Sequence, residues 1–516
     1  MEITNFIESK LEVIQSNTII SLIIIIAIGA SIRVFFTPWH LPTNSFDSLI
    51  FMIEGLAYSN GDFHNLSHRF FWPGILSIFF KFFEFENHLE YTTIVRIISI
   101  SISVSTIPII FLISKKFMKE KYALFVSVIL TIEPNLIENS IFGVTEPLLI
   151  FLGTLSFYCI LQEQRKFHIL AFVFAGLAFD TRLNGIVLLL LLIFTLILKR
   201  ERKLKNKDFI IGIILFLIII FPTNIIIPML GDEKIFSYLL PISKAIFEGE
   251  VTYSTYQGTE ISTPGNTMIN SLKNEFLSIL RISIPFLLIL FPIGIILSLK
   301  NMDYQKKILF SIIIISLIIA IPQYTVSNEY RNLLFLIPFL CIFSGIGIEK
   351  ISEKIEMKNI FLLVLVGGLL FLSVCFLNDR YNIDEQYFIE KDNFAKYVVN
   401  NFEGNISGNL RLEIVRNIPN LVVTSTHYNE KINFHDPGIV IDSNSKLIEY
   451  LQNNEIDYLV IEERYNEKHF PIFNKILIHE EEYDFLNEVI NSNDLGYKKL
   501  HVKIFIINWS EYDGKQ

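Results

Sequence analysis

Between Thr18 and Leu377 the chain alternates long apolar runs with short polar breaks. Runs such as Ile19 to Phe36, Ile94 to Ile113, Leu183 to Leu198, Phe209 to Leu230 and Phe361 to Leu377 approach the roughly 20 residues needed to cross about 30 Å of hydrocarbon. Further runs near 122–138, 147–161, 168–180, 276–298, 308–322 and 332–348 are shorter or contain proline. The pattern predicts a mainly α polytopic membrane protein with about eleven transmembrane helices. At Asn378 it changes abruptly. Gln386 to Phe402 and Ser445 to Asn453 then read as amphipathic helices, and Leu421 to Ser425, Tyr458 to Glu462 and His501 to Trp509 as strands bounded by turn formers. Two domains are expected: a membrane domain over 1–377 with a large first outer loop at 37–90, and an extracytoplasmic soluble α/β domain over 378–516.

The first outer loop contains a second kind of periodicity. Thr43, Asn44 and Ser45 offer N-caps, and Phe46, Leu49, Ile50, Ile53, Leu56 and Ala57 follow at helical spacing, which predicts a helix lying on the membrane surface. Asp47 and Glu54 fall on its other side, about 10 Å apart along the axis. Beyond Gly61 come Arg69-Phe70-Phe71-Trp72-Pro73-Gly74 and an apolar stretch to Phe83 that is too short to span.

Composition agrees with the membrane reading: 52% of residues are hydrophobic and 14% aromatic, with a mean hydropathy of +0.48. Lys and Arg cluster at Lys115 to Lys121, Arg165-Lys166, Lys199 to Lys207, Lys300 to Lys307 and Lys350 to Lys358. With eleven spans all five clusters share one face, so the N-terminus is expected in the cytoplasm and the C-terminal domain outside a plasma membrane. The acidic N-terminal tail and Arg33 at the outer end of the first run oppose this assignment locally. No basic segment precedes the first run, which is expected to stay as an uncleaved anchor. Cys159, Cys341 and Cys375 lie in apolar runs without metal-ligand spacing, and the net charge of -9 gives no sign of nucleic-acid binding. Sequons at Asn65, Asn405 and Asn508 are weak indications of modification.

Several short motifs fall at the outer ends of predicted spans. They are Phe46-Asp47 early in the first outer loop, Phe71-Trp72-Pro73 later in it, Thr145-Glu146-Pro147 opening a span, Thr181-Arg182 before Gly185, and Tyr330-Arg331 leading into Ile337-Pro338. In this layout residues 15–350 resemble the integral-membrane glycosyltransferases of the C superfamily, in particular the branch with protein O-mannosyltransferases and the aminoarabinose transferase of lipid A. Ala395-Lys396-Tyr397 and Ile456 to Ile461 look like the outer domain of prokaryotic members. Two features depart from the family. Asp47 is followed by Ser48 where many members have Glu, and the Trp-Trp-Asp signature of oligosaccharyltransferases is absent, which argues against en bloc transfer to asparagine.

The resemblance implies transfer of a sugar from a polyprenyl (dolichyl or undecaprenyl) phosphate to a protein, glycan or lipid acceptor on the outer face. Nucleotide sugars are confined to the cytoplasm and the chain has no Asp-x-Asp motif, so a lipid-phosphate donor fits an outward site. Asp47 is expected as general base with inversion at the anomeric carbon, and Glu54 and Glu146 as further acids. Arg331, Arg182 and Arg69 are expected to bind the carrier phosphate, to which guanidinium offers bidentate contacts. Each has a plainer explanation. A carboxylate such as Asp47 suits the first turn of any helix, Glu54 the solvated side of one, and Glu146 a helix start before Pro147. The arginines could snorkel or pair with Asp180 and Glu329. His64 and His68 have the spacing of a metal pair without an evident third ligand, and His427, His435 and Asp436 read as surface residues, so no cofactor is indicated. The alternative from another class is a transporter or flippase of lipid-linked sugars without transferase activity. No internal repeat supports it, and the polar residues gather at the mouths of spans rather than at mid-membrane.

Overall fold

The computed structural model describes residues 17–43, 45–61, 70–83, 85, 87–198, 206–223, 250–254, 260–264, 268–285, 287–300, 302–326, 329–380, 385–410, 413–414, 417, 432–435, 441, 443–463 and 471–509. Arg69, His64, His68, His427, Asp436, the sequon at Asn65 and the strand expected at Leu421 to Ser425 lie outside them. Within the described residues, each of the eleven apolar runs folds as helix. In chain order the helices are α1 (Thr18–Phe36), α2 (Phe46–Ser59), α3 (Phe71–Phe80), α4 (His88–Ser114), α5 (Glu120–Ile132), α6 (Pro134–Phe142), α7 (Glu146–Ile160), α8 (Arg165–Thr181), α9 (Ile186–Leu198) and α10 (Asn206–Phe221). After a hairpin of β1 (Glu250–Ser254) and β2 (Glu260–Pro264) come α11 (Met268–Ser283), α12 (Leu287–Leu299), α13 (Tyr304–Val326), α14 (Ile337–Ser352) and α15 (Lys358–Arg380).

Among the described residues, five helices are long and apolar enough to cross a membrane, and seven if two bent pairs each form one span. The run at 122–138 is one of these, breaking by 50° between α5 and α6, where Pro134 cannot continue the hydrogen-bond ladder. The run at 276–298 is not one straight span either: α11 and α12 meet at 105°. Helix α1 shows what the surrounding medium is. Its buried side is Ser21, Ile25, Gly29 and Arg33, whereas Ile19, Ile20, Ile23, Ile24 and Ile28 are exposed. Polar inside and apolar outside is the inverse of a water-soluble helix and suits a lipid-facing one. Arg33 is therefore no loop cation. Its Nη1 donates to the carbonyls of Gly29 and Thr131, each at 3.1 Å, and its Nε to Ser103 Oγ at 3.1 Å.

Close helix crossings rest on glycines. At Gly294 on α12 a Cβ would overlap the Phe343 carbonyl of α14, and at Gly153 on α7 it would overlap the Phe335 ring. Small residues allow such backbone approach, which is how helices associate when no hydrophobic effect separates protein from lipid.

The C-terminal segment is the expected α/β unit. A five-stranded sheet runs in the order β4 (Ile432–His435), β3 (Gly404–Gly408), β5 (Tyr458–Glu462), β7 (Val502–Ile507), β6 (Leu486–Asn491). The β3 pairings are parallel and those of β7 antiparallel. Side chains alternate between two layers: Val460 and Ile504 face the cluster containing Phe394, Ala395 and Val398 of α16 (Glu385–Asn401), and Leu459, Ile461 and Phe505 face that of α17 (Asn444–Asn453) and α18 (Pro471–Ile478). Glu390 of α16 fastens the chain that leads into β7. One carboxylate oxygen accepts from the amides of Lys498, Lys499 and Leu500 at 3.1, 2.8 and 3.0 Å, and the other from Gln386 Nε2 at 2.9 Å. Desolvation alone would raise this carboxyl, but these donors outweigh it and hold it below its usual value.

Two outcomes follow. Gly294→Leu forces α12 from α14, and the melting temperature of the detergent-solubilised protein should fall by the equivalent of about 1–3 kcal/mol or more. Glu390→Gln should lose about 1.5–3 kcal/mol at neutral pH. Because the folded carboxyl titrates below the unfolded one, its contribution is complete above the ordinary carboxylate range and is lost as pH falls through the depressed value. Melting curves of wild type and variant against pH should thus converge only in acid.

Candidate active site

Four of the charges singled out in the sequence meet at one end of the membrane domain. Asp47 stands in the first turn of α2, which Ser45 caps by accepting from the Ser48 amide at 3.4 Å. The approach to α2 is pinned by Arg96 of α4, whose Nη1 donates to the carbonyls of Pro38 and Leu41 at 2.8 and 2.7 Å. On the far side of α2, Gly55 packs against Leu76 and Phe80 of α3. The buried face of α2 comprises Ser48, Leu49, Phe51, Met52, Leu56, Ala57 and Tyr58, while Ile50 and Ile53 are half-buried. That corrects the one-sided stripe expected for a helix resting on a membrane surface. The run from Leu49 to Ile53 is continuously apolar, so its periodicity could not select a face.

Glu146 is the first residue of α7, followed by Pro147, as the sequence predicts. The turn that delivers it needs Gly143, which closes α6 in the left-handed conformation at φ 72°, where a Cβ would also press on Val95. Trp72 is fully buried and donates from Nε1 to the Gly143 carbonyl at 3.2 Å, so the aromatic-proline element braces this turn. Arg182 follows α8 in extended conformation and opens the 3-10 turn Leu183–Gly185. Arg331 lies in the 3-10 segment Tyr330–Leu336 that precedes α14.

The four form an alternating chain. Asp47 Oδ2 accepts from Arg331 Nη1 at 3.0 Å, and the same Nη1 lies 3.8 Å from Glu146 Oε1. Glu146 Oε1 also accepts from Arg182 Nη1, which reaches Thr145 Oγ1 at 3.4 Å. Arg331 Nη2 donates to Glu329 Oε2 at 2.9 Å, the neighbour pairing foreseen for it, whereas Arg182 pairs with Glu146 and not Asp180. Exposure is graded along the chain: 30% for the Asp47 side chain, 23% for Arg331 and 1% for Glu146. Asp47 and Arg331 can therefore meet a ligand, while Glu146 is sealed beneath them. Glu54 sits two turns along α2, half-buried, outside this chain of four.

Residues not singled out in the sequence adjoin the chain. Arg281 of α11 is exposed and stacks over the Tyr330 ring with Cζ 3.9 Å from its centroid. Arg380, at the end of α15, pairs with Glu138 of α6. Asn332 Oδ1 accepts from Arg182 Nη2 at 3.3 Å. None belongs to a motif, and their only signal was a polar residue beside an apolar run. Among the described residues, no three His, Cys, Asp or Glu side chains could hold a metal ion.

A family model described as dolichyl-phosphate-mannose-protein mannosyltransferase matches residues 69–226. No curated protein matches the chain. Among solved structures, ArnT from Cupriavidus metallidurans in the apo state is similar with a TM-score of 0.61 at 10% identity, covering 94% of this chain and 97% of that one. The same protein bound to undecaprenyl phosphate gives a TM-score of 0.57 at 10% identity and the same coverage. The oligosaccharyltransferase of Archaeoglobus fulgidus in the apo form gives 0.56 at 10% identity, covering 86% of this chain and 69% of that one. Likeness along nearly the whole length of ArnT, together with the family match across the motifs of α3 to α10, shows that the chain has the fold of the integral-membrane glycosyltransferases of the C superfamily.

Proposed function

We propose that the protein is a glycosyltransferase that moves a sugar from a polyprenyl phosphate to a hydroxyl acceptor on the outer face of a plasma membrane, with inversion at the anomeric carbon. The observation that carries this reading is the Asp47–Arg331 contact at 3.0 Å: a half-exposed carboxylate beside a half-exposed guanidinium, each built into a different wall of one site. A general base and a phosphate ligand must face one space for one to act on the acceptor while the other holds the leaving group, and this pair parts to admit the sugar between them.

In this mechanism the acceptor hydroxyl gives its proton to Asp47 as its oxygen bonds to the anomeric carbon. The bond from that carbon to the phosphate oxygen breaks, and its electron pair leaves with the polyprenyl phosphate. Arg331 stabilises the charge that gathers on the phosphate, exposed Arg281 can add a second guanidinium, and Arg182, only 7% exposed, contributes its charge from behind Glu146. Glu146, sealed below, orients both inner arginines rather than meeting the sugar. Two similar structures support the donor class: ArnT bound to undecaprenyl phosphate, and an archaeal oligosaccharyltransferase in complex with an inhibitory peptide and a dolichol-phosphate. The Lys and Arg distribution supports a cytoplasmic N-terminus and an extracytoplasmic C-terminal domain, with the shorter apolar helices α3 and α7 to α10 also embedded.

Transfer from radiolabelled undecaprenyl-phosphate-hexose or dolichyl-phosphate-mannose, measured in membranes with matched expression, should fall about 10²–10⁴-fold in kcat for Asp47→Asn with donor KM little changed. Equal turnover of variant and wild type would remove Asp47 from the mechanism. Glu146→Gln leaves two guanidiniums adjacent without their buried counter-charge, so the melting temperature should drop by the equivalent of about 3–5 kcal/mol. Adding Arg182→Leu to Glu146→Gln should recover most of that stability without restoring transfer; recovery of both would show that the charge of Arg182 is not needed for transfer.

A further inference from the structure

Beneath the arginines runs a second polar chain. Gln323 of α13 donates from Nε2 to Asn184 Oδ1 at 2.6 Å, Asn184 Nδ2 donates to the Asn332 carbonyl at 2.8 Å, and Asn332 Oδ1 accepts from Arg182 Nη2 at 3.3 Å. An arginine has only donors, so the oxygen of the Asn332 amide must be the atom that faces it. The chain ties three elements far apart in sequence: α13, the 3-10 turn after α8, and the 3-10 segment that carries Arg331. It borders a cavity of about 10 Å³, room for about one water, walled otherwise by apolar side chains such as Val187, Ile319 and Phe335.

These amides are costly where they lie. Apolar residues could fill the same volume inside a membrane domain without leaving donors and acceptors to satisfy. Once paired, hydrogen bonds in such surroundings are strong, and a lost partner leaves a half-buried polar group without compensation. The chain does not close on itself; it ends on a guanidinium of the site. Holding residue 332 by both its carbonyl and its side chain also fixes residue 331, because a 3-10 segment advances only about 2 Å per residue.

We propose that Gln323, Asn184 and Asn332 are positioning residues that set Arg331 opposite Asp47, and thereby fix the geometry in which the carrier phosphate is bound. The inference rests on reading Arg331 as a phosphate ligand.

The test uses the full-length protein in detergent, with undecaprenyl phosphate and dolichyl phosphate as probes and affinity read by isothermal titration. Asn184→Leu should weaken the tighter probe about ten-fold in the wild-type background, roughly the worth of one hydrogen bond. In an Arg331→Lys background, where a flexible ammonium no longer depends on the angle of the turn, the same substitution should change affinity by less than about three-fold. Equal affinity of Asn184→Leu and wild type would overturn the inference and leave the proposed function standing. An equal loss in both backgrounds would overturn it as well, since the effect would not pass through Arg331. If neither probe binds wild type, the reading of Arg331 fails and the inference with it. Should Asn184→Leu fail to fold, Gln323→Leu at the far end of the chain reads the same comparison between backgrounds, with a smaller loss expected in the first.

Discussion

The site depends on charges that alternate from the surface inward: Asp47, Arg331, Glu146, Arg182. Each inner charge would be prohibitive alone in a low-dielectric interior, and each is tolerable because an opposite charge lies beside it. The magnitudes separate this chain from other ion pairs of the protein. Lys350–Glu353 and Lys115–Glu120 lie on exposed surface, where a pair is worth about 0–1 kcal/mol. Removing one member of the buried pair costs several times that, so the arrangement holds its shape and can be selected for geometry rather than for stability. The chain is neutral over its four members, and with Glu329 it is left one charge negative, so any anionic ligand would compete with carboxylates for the same guanidinium.

Everything around this chain serves to bring its members together. The N-cap at Ser45, the left-handed Gly143, the break after α8 and the 3-10 start of α14 are all helix ends, where backbone groups lack partners and side chains can turn toward a common space. The bundle below supplies rigidity through glycine-mediated contact, with Gly153 letting Phe335 of the Arg331 segment press onto α7. The C-terminal domain meets the start of the first loop, where His40 lies 2.8 Å from Glu385 of α16.

Local patterns found most of the elements. Apolar runs of a given length become helices because no other open segment satisfies its backbone in hydrocarbon, so the eleven helical runs were legible. The strands at Tyr458 to Glu462 and near His501 to Trp509 were legible from β-branched residues between turn formers. Proline marked the start of α7 and the break before α6. The buried face of α2 was not, because a five-residue apolar run has no preferred side until α3 and α4 pack against it. Nor was the place of Arg33, which hydropathy sets at an outer span end while packing surrounds it with Ser103 and two carbonyls.

For the site the division is sharper. The sequence by itself determined which residue types stand at the ends of apolar helices: an acid after Ser45, an acid before Pro147, an arginine before Gly185 and another before Pro338. It did so because helix-end chemistry is written within a few residues of each position. Only the tertiary structure decided which of them meet. Asp47 and Arg331 are 284 positions apart, and whether they touch depends on the crossing of helices whose contacts are fixed by shape, not by local propensity. The same holds for Asn184, Gln323 and Asn332. Amides in a sequence carry no sign of their partners, because a hydrogen bond is directional and its geometry exists only once three separate elements are packed.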